Sequence, residues 1–327
     1  MCNSLNSTCD YHAHKTYILV FDILRWIQAF FIVFGNSLVV ASGIKYKRMR
    51  RSSYYFLYSL SCSDYIVAIT NITLFVNRTY FQHEKYFQIW LVLLHMNIFL
   101  NILQSTLNLF HFTLMSMERF LFVTAPFFAK TYLTKRTVIC LLITAWLMGI
   151  ILVVTSTQLG YVGDKNIPLW SNEWTVYLNE EAFFAFSLIF VGLSLLTFVL
   201  YSTVAYKLVI KPKLRRNKTG TVQSSITSTT AEQRQRKITR VMALVMGTYY
   251  LLYLPAFVES QIAYDEYVKE HVEYAVFYLW FSNAMANPLI YYSTNKDFHV
   301  AFKCLLKRKQ ELDFEKELTQ QSVSVIN

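Results

Sequence analysis

Charge is scarce in this 327-residue chain: Asp, Glu, Lys and Arg make up 16% of it, against roughly a quarter in an ordinary soluble domain. Glycine (8) and proline (5) are also few, which excludes collagen-like and low-complexity architectures. Five cysteines are too few for a disulfide-built scaffold. The opening MCNSLNSTCDYHAHK lacks the apolar core of a secretory signal, so the first apolar segment is expected to act as its own insertion signal. Neither G-x-S-x-G nor H-E-x-x-H occurs, and Asp64 is the one acid deep inside an apolar run. An intramembrane enzyme working with paired carboxylates therefore lacks its second partner.

What fills the space is hydrophobic: 54% of residues, with 17% aromatic. Uncharged or nearly uncharged runs cover 26–44, 52–77, 86–117, 137–159, 182–206, 241–264 and 274–295, broken only by Asp64 and Glu259. A membrane-crossing helix needs about 20 apolar residues. The chain therefore reads as an all-α membrane protein with seven transmembrane helices.

Basic residues give the orientation. KYKRMRRSS follows the first run; Lys130, Lys135 and Arg136 follow the third; KPKLRRNK and RQRKITR follow the fifth, and KCLLKRK the seventh. The alternate connections are dominated by Asp and Glu. Because cytoplasmic loops retain Lys and Arg, the N-terminus lies outside and the C-terminus inside. The net charge of +11 is then a topology signal, and nucleic acid is not needed as a partner to explain it. Asn6 and Asn77 stand in outside N-x-S/T patterns and are candidate glycan acceptors, whereas Asn217 lies inside. Cys2 and Cys9 are the outside pair of cysteines.

Polar residues at membrane depth are expensive and usually functional. Asp64 sits mid-run, and Asn36, Asn108, Asn283 and Asn287 are available to share a polar network with it. Asn101, Ser105, Asn108, Phe112, Met115 and Arg119 recur at three- and four-residue steps and so share one helix face. That stripe joins the membrane middle to the inner surface. Asp64 alone would also suit a seven-helix ion or solute transporter, but such folds show internal repeats or matched broken helices. The first and last three runs share no such pattern.

Motif order is more specific. Gly35-Asn36, Leu60-x-x-x-Asp64, Glu118-Arg119-Phe120 with Pro126, Trp146, Tyr201, Lys237-Ile238-Thr239-Arg240, Leu252-Tyr253-Leu254-Pro255 and Asn287-Pro288-x-x-Tyr291 occur in sequence. Together they resemble the rhodopsin-like (class A) G-protein-coupled receptors, from the first crossing to the tail helix. The resemblance implies a multi-pass plasma-membrane receptor that responds to an extracellular ligand. Its expected partners are a heterotrimeric G protein, arrestin and membrane lipids; no cofactor is expected beyond a candidate allosteric sodium ion at Asp64. It assigns Glu118, Arg119, Phe120, Pro126, Tyr201, Lys237, Tyr253, Pro255, Asn287, Pro288 and Tyr291 to switching and G-protein coupling. Asn36, Asp64, Asn108, Asn283 and Asn287 would form the sodium-linked network. Asn101, Ile102, Ser105, Tyr253, Phe257, Phe277 and Phe281 would line the ligand pocket, and Cys304 is a candidate palmitoylation site. It further implies an outside tail over 1–16, the receptor domain over 17–295, an amphipathic eighth helix over 296–310 and a flexible tail over 311–327. The Ser/Thr-rich 219–230 and 319–327 would recruit arrestin.

Several positions depart from the family pattern. No cysteine occurs in 85–101 or 158–181, so the usual outer disulfide has no partners, and 182–201 holds no proline. Both losses resemble, in part, the melanocortin, lysophospholipid, cannabinoid and adenosine branch. Gln235 stands where the family's helix-six acid locks the arginine, which implies raised basal activity. Asn101 replaces the amine receptors' aspartate and Phe281 the retinal lysine, so neither an amine nor retinal is the expected ligand; a lipid, a peptide or a small neutral molecule is.

Overall fold

A computed structural model describes residues 4–80, 84–159, 180–210, 230–259 and 266–323. The side chains of 4–18 (Asn6 among them) and of Phe257 lie outside the described residues, as do Asn217 and nearly all of 219–230. Ten α-helices make up the described chain: α1 Ser4–Lys45, α2 Ser52–Tyr80, α3 Phe87–Thr124, α4 Pro126–Tyr132, α5 Lys135–Leu159, α6 Glu180–Ala205, α7 Thr230–Glu259, α8 Glu266–Thr294, α9 Lys296–Leu306 and α10 Glu311–Val323. Six stretches, within α1, α2, α3, α5, α6 and α7, are long and apolar enough to cross a membrane. The seventh crossing, α8, opens with Glu266, Lys269, Glu270 and Glu273 and carries Asn283 and Asn287, which lowers its hydropathy although it packs as a full bundle member.

The arrangement inverts a soluble protein's logic. Phe30, Phe34, Ile151, Leu195 and Phe198 point outward and are exposed, while Asn36, Asp64, Asn108, Asn283 and Asn287 are buried. With no water in the bilayer core, polar groups must be satisfied between helices, and the apolar surface has lipid as its natural solvent. The central helix is α3, which touches α2, α4, α5, α6 and α7, while α1 packs on α2, α8 and α9. At the α2–α3–α5 junction Trp146 Nε1 donates to Ser59 Oγ at 2.9 Å, and His111 Nε2 meets the same hydroxyl at 2.7 Å.

Pro126 opens α4 at a position where its missing N–H is not needed. After α8 the chain breaks at Asn295, whose side chain accepts from Asp297 N and caps α9. Phe298 then inserts beneath the bundle against Tyr54 and Tyr291, and Arg51 pairs with Asp297 at 3.0 Å. The last turn of α9 closes with Arg308 N bonded to Leu305 O and Lys309 N to Cys304 O, and Arg308 itself lies at φ 54°. This is a Schellman reversal with arginine at the position glycine usually holds.

The reversal corrects the expectation of a flexible tail: 311–323 form α10, whose Phe314 and Leu318 are buried against α9 and the inner end of α1. The anchoring residues are two isolated hydrophobics among charges, a pattern too sparse to announce a docked helix. At the other end, helical backbone begins at Ser4, so most of the expected 1–16 tail continues α1.

One contact constrains the bundle closely. A Cβ at Gly35 would come within 2.9 Å of both Cβ and Cγ of Pro288, a ring with little freedom to move. Gly35→Ala should therefore force α1 off α8 and destabilise the protein by about 1–3 kcal/mol, as overpacked cores do. Thermal unfolding in detergent checks this, and an unchanged midpoint would contradict the contact.

Candidate functional site

Pro288 has no N–H, so the carbonyl of Ala284, one turn earlier, loses its helical partner. Asn36 Nδ2 supplies the replacement, donating to Ala284 O at 3.1 Å while also bonding Ile32 O at 3.0 Å. One turn below, Asn287 Nδ2 donates to Asp64 Oδ2 at 2.9 Å, tying α8 to α2. Ser63 Oγ lies 3.4 Å from Asn108 Oδ1, a weak link from α2 to α3.

The expected network is thus only partly closed by direct bonds. Asn36 serves the backbone instead of Asp64, and neither polar atom of Asn283 bonds a protein group. Asp64 Oδ1, Asn287 Oδ1, Asn283 Oδ1 and Ser61 Oγ are all buried oxygens without a hydrogen-bond partner. Buried polar atoms of this kind usually answer to water or an ion. Among the described residues, no group of three or more His, Cys, Asp or Glu is placed to hold a metal, so a cation here would rest on amide, hydroxyl and single-carboxylate oxygens.

At the inner end of α3, Arg119 is fully buried. Its Nη2 lies 2.7 Å from Glu118 Oε2 and donates to Ser53 Oγ at 2.7 Å, while Ser53 donates in turn to Glu118 Oε1 at 2.7 Å. The guanidinium also lies over the Phe122 ring at 5.1 Å. Charge-assisted bonds in a buried setting are the stronger kind. Ser53, at the second position of α2, carried no signal in the sequence: it is an ordinary polar residue in an N-terminal helical turn. Tyr201 on α6 donates to Thr239 O on α7. Lys237 is exposed near the same inner end, and Pro255 breaks the α7 backbone ladder higher up.

Outward of the Asp64 network lies an aromatic group. Tyr253 donates to Ser105 Oγ, which donates to Asn101 O at 2.9 Å. Its ring sits 4.3 Å from Tyr249, 4.7 Å from Trp280 and 6.2 Å from Phe190, with Phe277 5.6 Å from Trp280. Asn101, Ser105, Tyr253 and Phe277 are therefore brought together as expected. Phe281 joins them at the edge, its ring 6.1 Å from both Phe277 and Trp280, while it also packs with Ile32, Val67 and Ala68 of α1 and α2; Ile102 does not, packing with Leu103, Leu107 and Val153 toward α5. Helical phase explains Ile102, which is one position off the α3 stripe carrying Asn101 and Ser105. Trp280, Tyr249 and Phe190 belong to that group, and each sits within an apolar run where its face could not be singled out.

Two modification sites also differ from expectation. Asn77 is buried, with Nδ2 donating to Trp90 O at 3.3 Å, so a glycan has no access to it. Cys304 is buried beneath α10 and its thiol donates to Glu317 Oε2 at 3.4 Å.

Comparison with known proteins agrees with this architecture. Trace amine-associated receptor 5 of Mus musculus is 24% identical over 94% of this chain and 91% of its own length. Histamine H2 receptor of Rattus norvegicus is 24% identical, covering 84% of this chain and 76% of its own. Tachykinin-like peptides receptor 86C of Drosophila melanogaster is 22% identical over 88% of this chain and 58% of its own. None of these carries a name from the branch suggested by the missing cysteines and proline. A family model described as 7 transmembrane receptor (rhodopsin family) matches residues 35–291. That match runs from the glycine seated on Pro288 to the tyrosine at the inner end of α8, most of the bundle, and the chain belongs to the rhodopsin family of seven-transmembrane receptors.

Proposed function

We propose that this receptor catalyses nucleotide exchange on a heterotrimeric G protein when an extracellular ligand engages the aromatic group around Tyr253. The observation that carries the reading is the state of Arg119, a fully buried cation clasped by Glu118 and by Ser53 of α2 at the inner mouth of the bundle. Freeing Arg119 would break its bonds to Ser53 of α2 and to Glu118, and Tyr201 and Tyr291 would swing inward to take up the space. Arrestin is a second proposed partner, through the Ser/Thr-rich 219–230 and 319–327.

For the ligand, the expected exclusion of a biogenic amine does not stand against relatives named for trace amines, histamine and octopamine. Asn101 supplies no counter-charge, but the faces of Tyr253 and Trp280 are what a cationic or a neutral ring-bearing molecule would both use. The reading favours a small molecule held by those rings and by Ser105. A retinal Schiff base has no lysine at Phe281.

The orphaned oxygens of Asp64, Asn287, Asn283 and Ser61 fit a monovalent cation of sodium's kind, since hard cations take oxygen ligands. A bound ion would supply positive charge between α2 and α8 and so hold the two helices in one arrangement.

On membranes carrying the full chain, Arg119→Ala should reduce GTPγS uptake by a panel of G proteins to the level of empty membranes while surface expression persists. Uptake that survives in the variant would sink the coupling reading. Ser53→Ala removes one bond to Arg119 and one to Glu118. It should raise unliganded uptake by about tenfold or more, because a hydrogen bond to a charged group contributes about 1.5–3 kcal/mol and about 1.4 kcal/mol is a factor of ten. No increase would mean that Ser53 is mere packing. Replacing potassium by sodium should depress wild-type uptake and leave Asp64→Asn indifferent; a wild type blind to the swap removes the ion and leaves the receptor reading intact.

A further inference from the structure

The first inner connection is short and takes its cap from elsewhere. Between the end of α1 and Ser52, where α2 begins, run Tyr46, the 3₁₀ turn Lys47–Met49 and two arginines. A turn of that kind has poor hydrogen-bond geometry and coheres weakly, and Tyr46, the residue before it, supplies no side-chain cap. The cap comes from the far end of the chain: Glu311, in the first turn of α10, accepts from the Lys47 backbone N–H at 2.8 Å. Phe314, one turn on, stacks on Tyr46 with ring centroids 4.4 Å apart, and both are fully buried. Tyr46 OH donates to Lys309 O at 3.3 Å, and Lys309 pairs with Glu317. On its other side the connection leads straight to Arg119. The carbonyl of buried Met49 accepts from Tyr58 OH of α2 at 2.7 Å, and Asp297 binds both Arg51, at 3.0 Å, and Tyr54 OH, at 2.9 Å. Tyr54 follows Ser53, which bonds Arg119 and Glu118. Tyr46, Met49, Tyr54, Phe314 and Leu318 belong to one buried apolar cluster.

We propose that α10 is an intramolecular brace on the first inner connection, which restrains unliganded nucleotide exchange by keeping Ser53 on Arg119. The proposal rests on the reading of the Arg119 clasp as the resting state. Docked α10 fixes Tyr46 and Lys47, these fix the turn, and the turn fixes the first residues of α2. Without α10 the Lys47 N–H turns to water and Tyr46 loses its stacking partner. The turn then gains freedom, and the bonds at Ser53 are formed for less of the time. Charge suits the pairing: α10 carries Glu311, Asp313, Glu315 and Glu317 against Lys316, and the connection it covers is KYKRMRR. Glu311 and Phe314 are thus positioning residues, acting on Arg119 through Ser53.

The test is unliganded GTPγS uptake by a panel of G proteins on membranes carrying the full chain, expressed per receptor at the surface. Phe314→Ala should raise it by about two- to thirtyfold, the range over which contacts between linked elements shift a distant equilibrium. Glu311→Ala leaves the ring stacking in place and should raise it less. Leu312→Ala, at a side chain 67% exposed on the same helix, should match wild type. On a Ser53→Ala background Phe314→Ala should add little, because residues acting through one contact are not additive. Wild-type uptake in both Phe314→Ala and Glu311→Ala, with Ser53→Ala raised, would overturn the brace and leave the Arg119 reading standing. A full further rise on the Ser53→Ala background would overturn it too, since α10 would then act by another route. If Ser53→Ala itself matches wild type, the clasp is not the resting state and the brace falls with it.

Discussion

The structure depends on one orphaned carbonyl. Pro288 strips Ala284 O of its helical donor in a place where water is scarce, and a lone carbonyl in hydrocarbon costs several kcal/mol. Asn36 Nδ2 satisfies it from a different helix, and Gly35 beside it lets α1 come close enough to do so. Once α1 and α8 are held at that distance, Asn287 faces Asp64 and Tyr291 comes down onto Phe298. The proline joint therefore positions the bundle and also limits how α8 can move. A helix with one bond missing bends there first, and its partner across the gap is an amide able to change partners.

The inner end repeats this economy with charge. Arg119 cannot be buried alone, and Glu118 on the same helix gives it a counter-charge that costs nothing in geometry. Adjacent residues on one helix say little about how neighbouring helices are arranged. Ser53 is what turns the pair into a contact between helices, since one hydroxyl accepts from the arginine and donates to the glutamate. With Gln235 in the place of an acid on α7, the resting arrangement at this multi-pass plasma-membrane receptor's inner mouth leans on α2.

How much of this the sequence discloses follows from how each signal is encoded. The crossings and their orientation are written in long runs and loop charge, which survive averaging over 20 residues. The switch residues are written as motifs in order, so Asn36, Asp64, Arg119 and Pro288 are legible individually. Contacts between helices have no such record. Ser53, Trp280 and Ile102 are ordinary residues in apolar or polar turns, and only helix rotation decides that the first meets Arg119, the second Tyr253 and the third α5. The Asp64 network shows the same limit: five polar residues at one depth are visible, but which of them bond directly is set by sub-ångström placement.

The tail is the harder case, because its composition argues for disorder. Thirteen residues of ELDFEKELTQQSV have no isolated tendency to persist as a helix, since helices of that length are marginal in water. What holds α10 is tertiary: the reversal at Arg308 aims it back, Asp313 accepts from the Gln310 backbone N–H ahead of its first turn, and Phe314 finds Tyr46. Each of these alone is small, and the helix exists only where all of them act together. An element built on that footing is poised near release, because losing one contact weakens the case for every other. Its stability therefore rests on those tertiary contacts and not on the helix itself. That sets a helix held by several small contacts beside the inner ends of α1 and α9, against a bundle whose own core is fastened by buried amides and carboxylates.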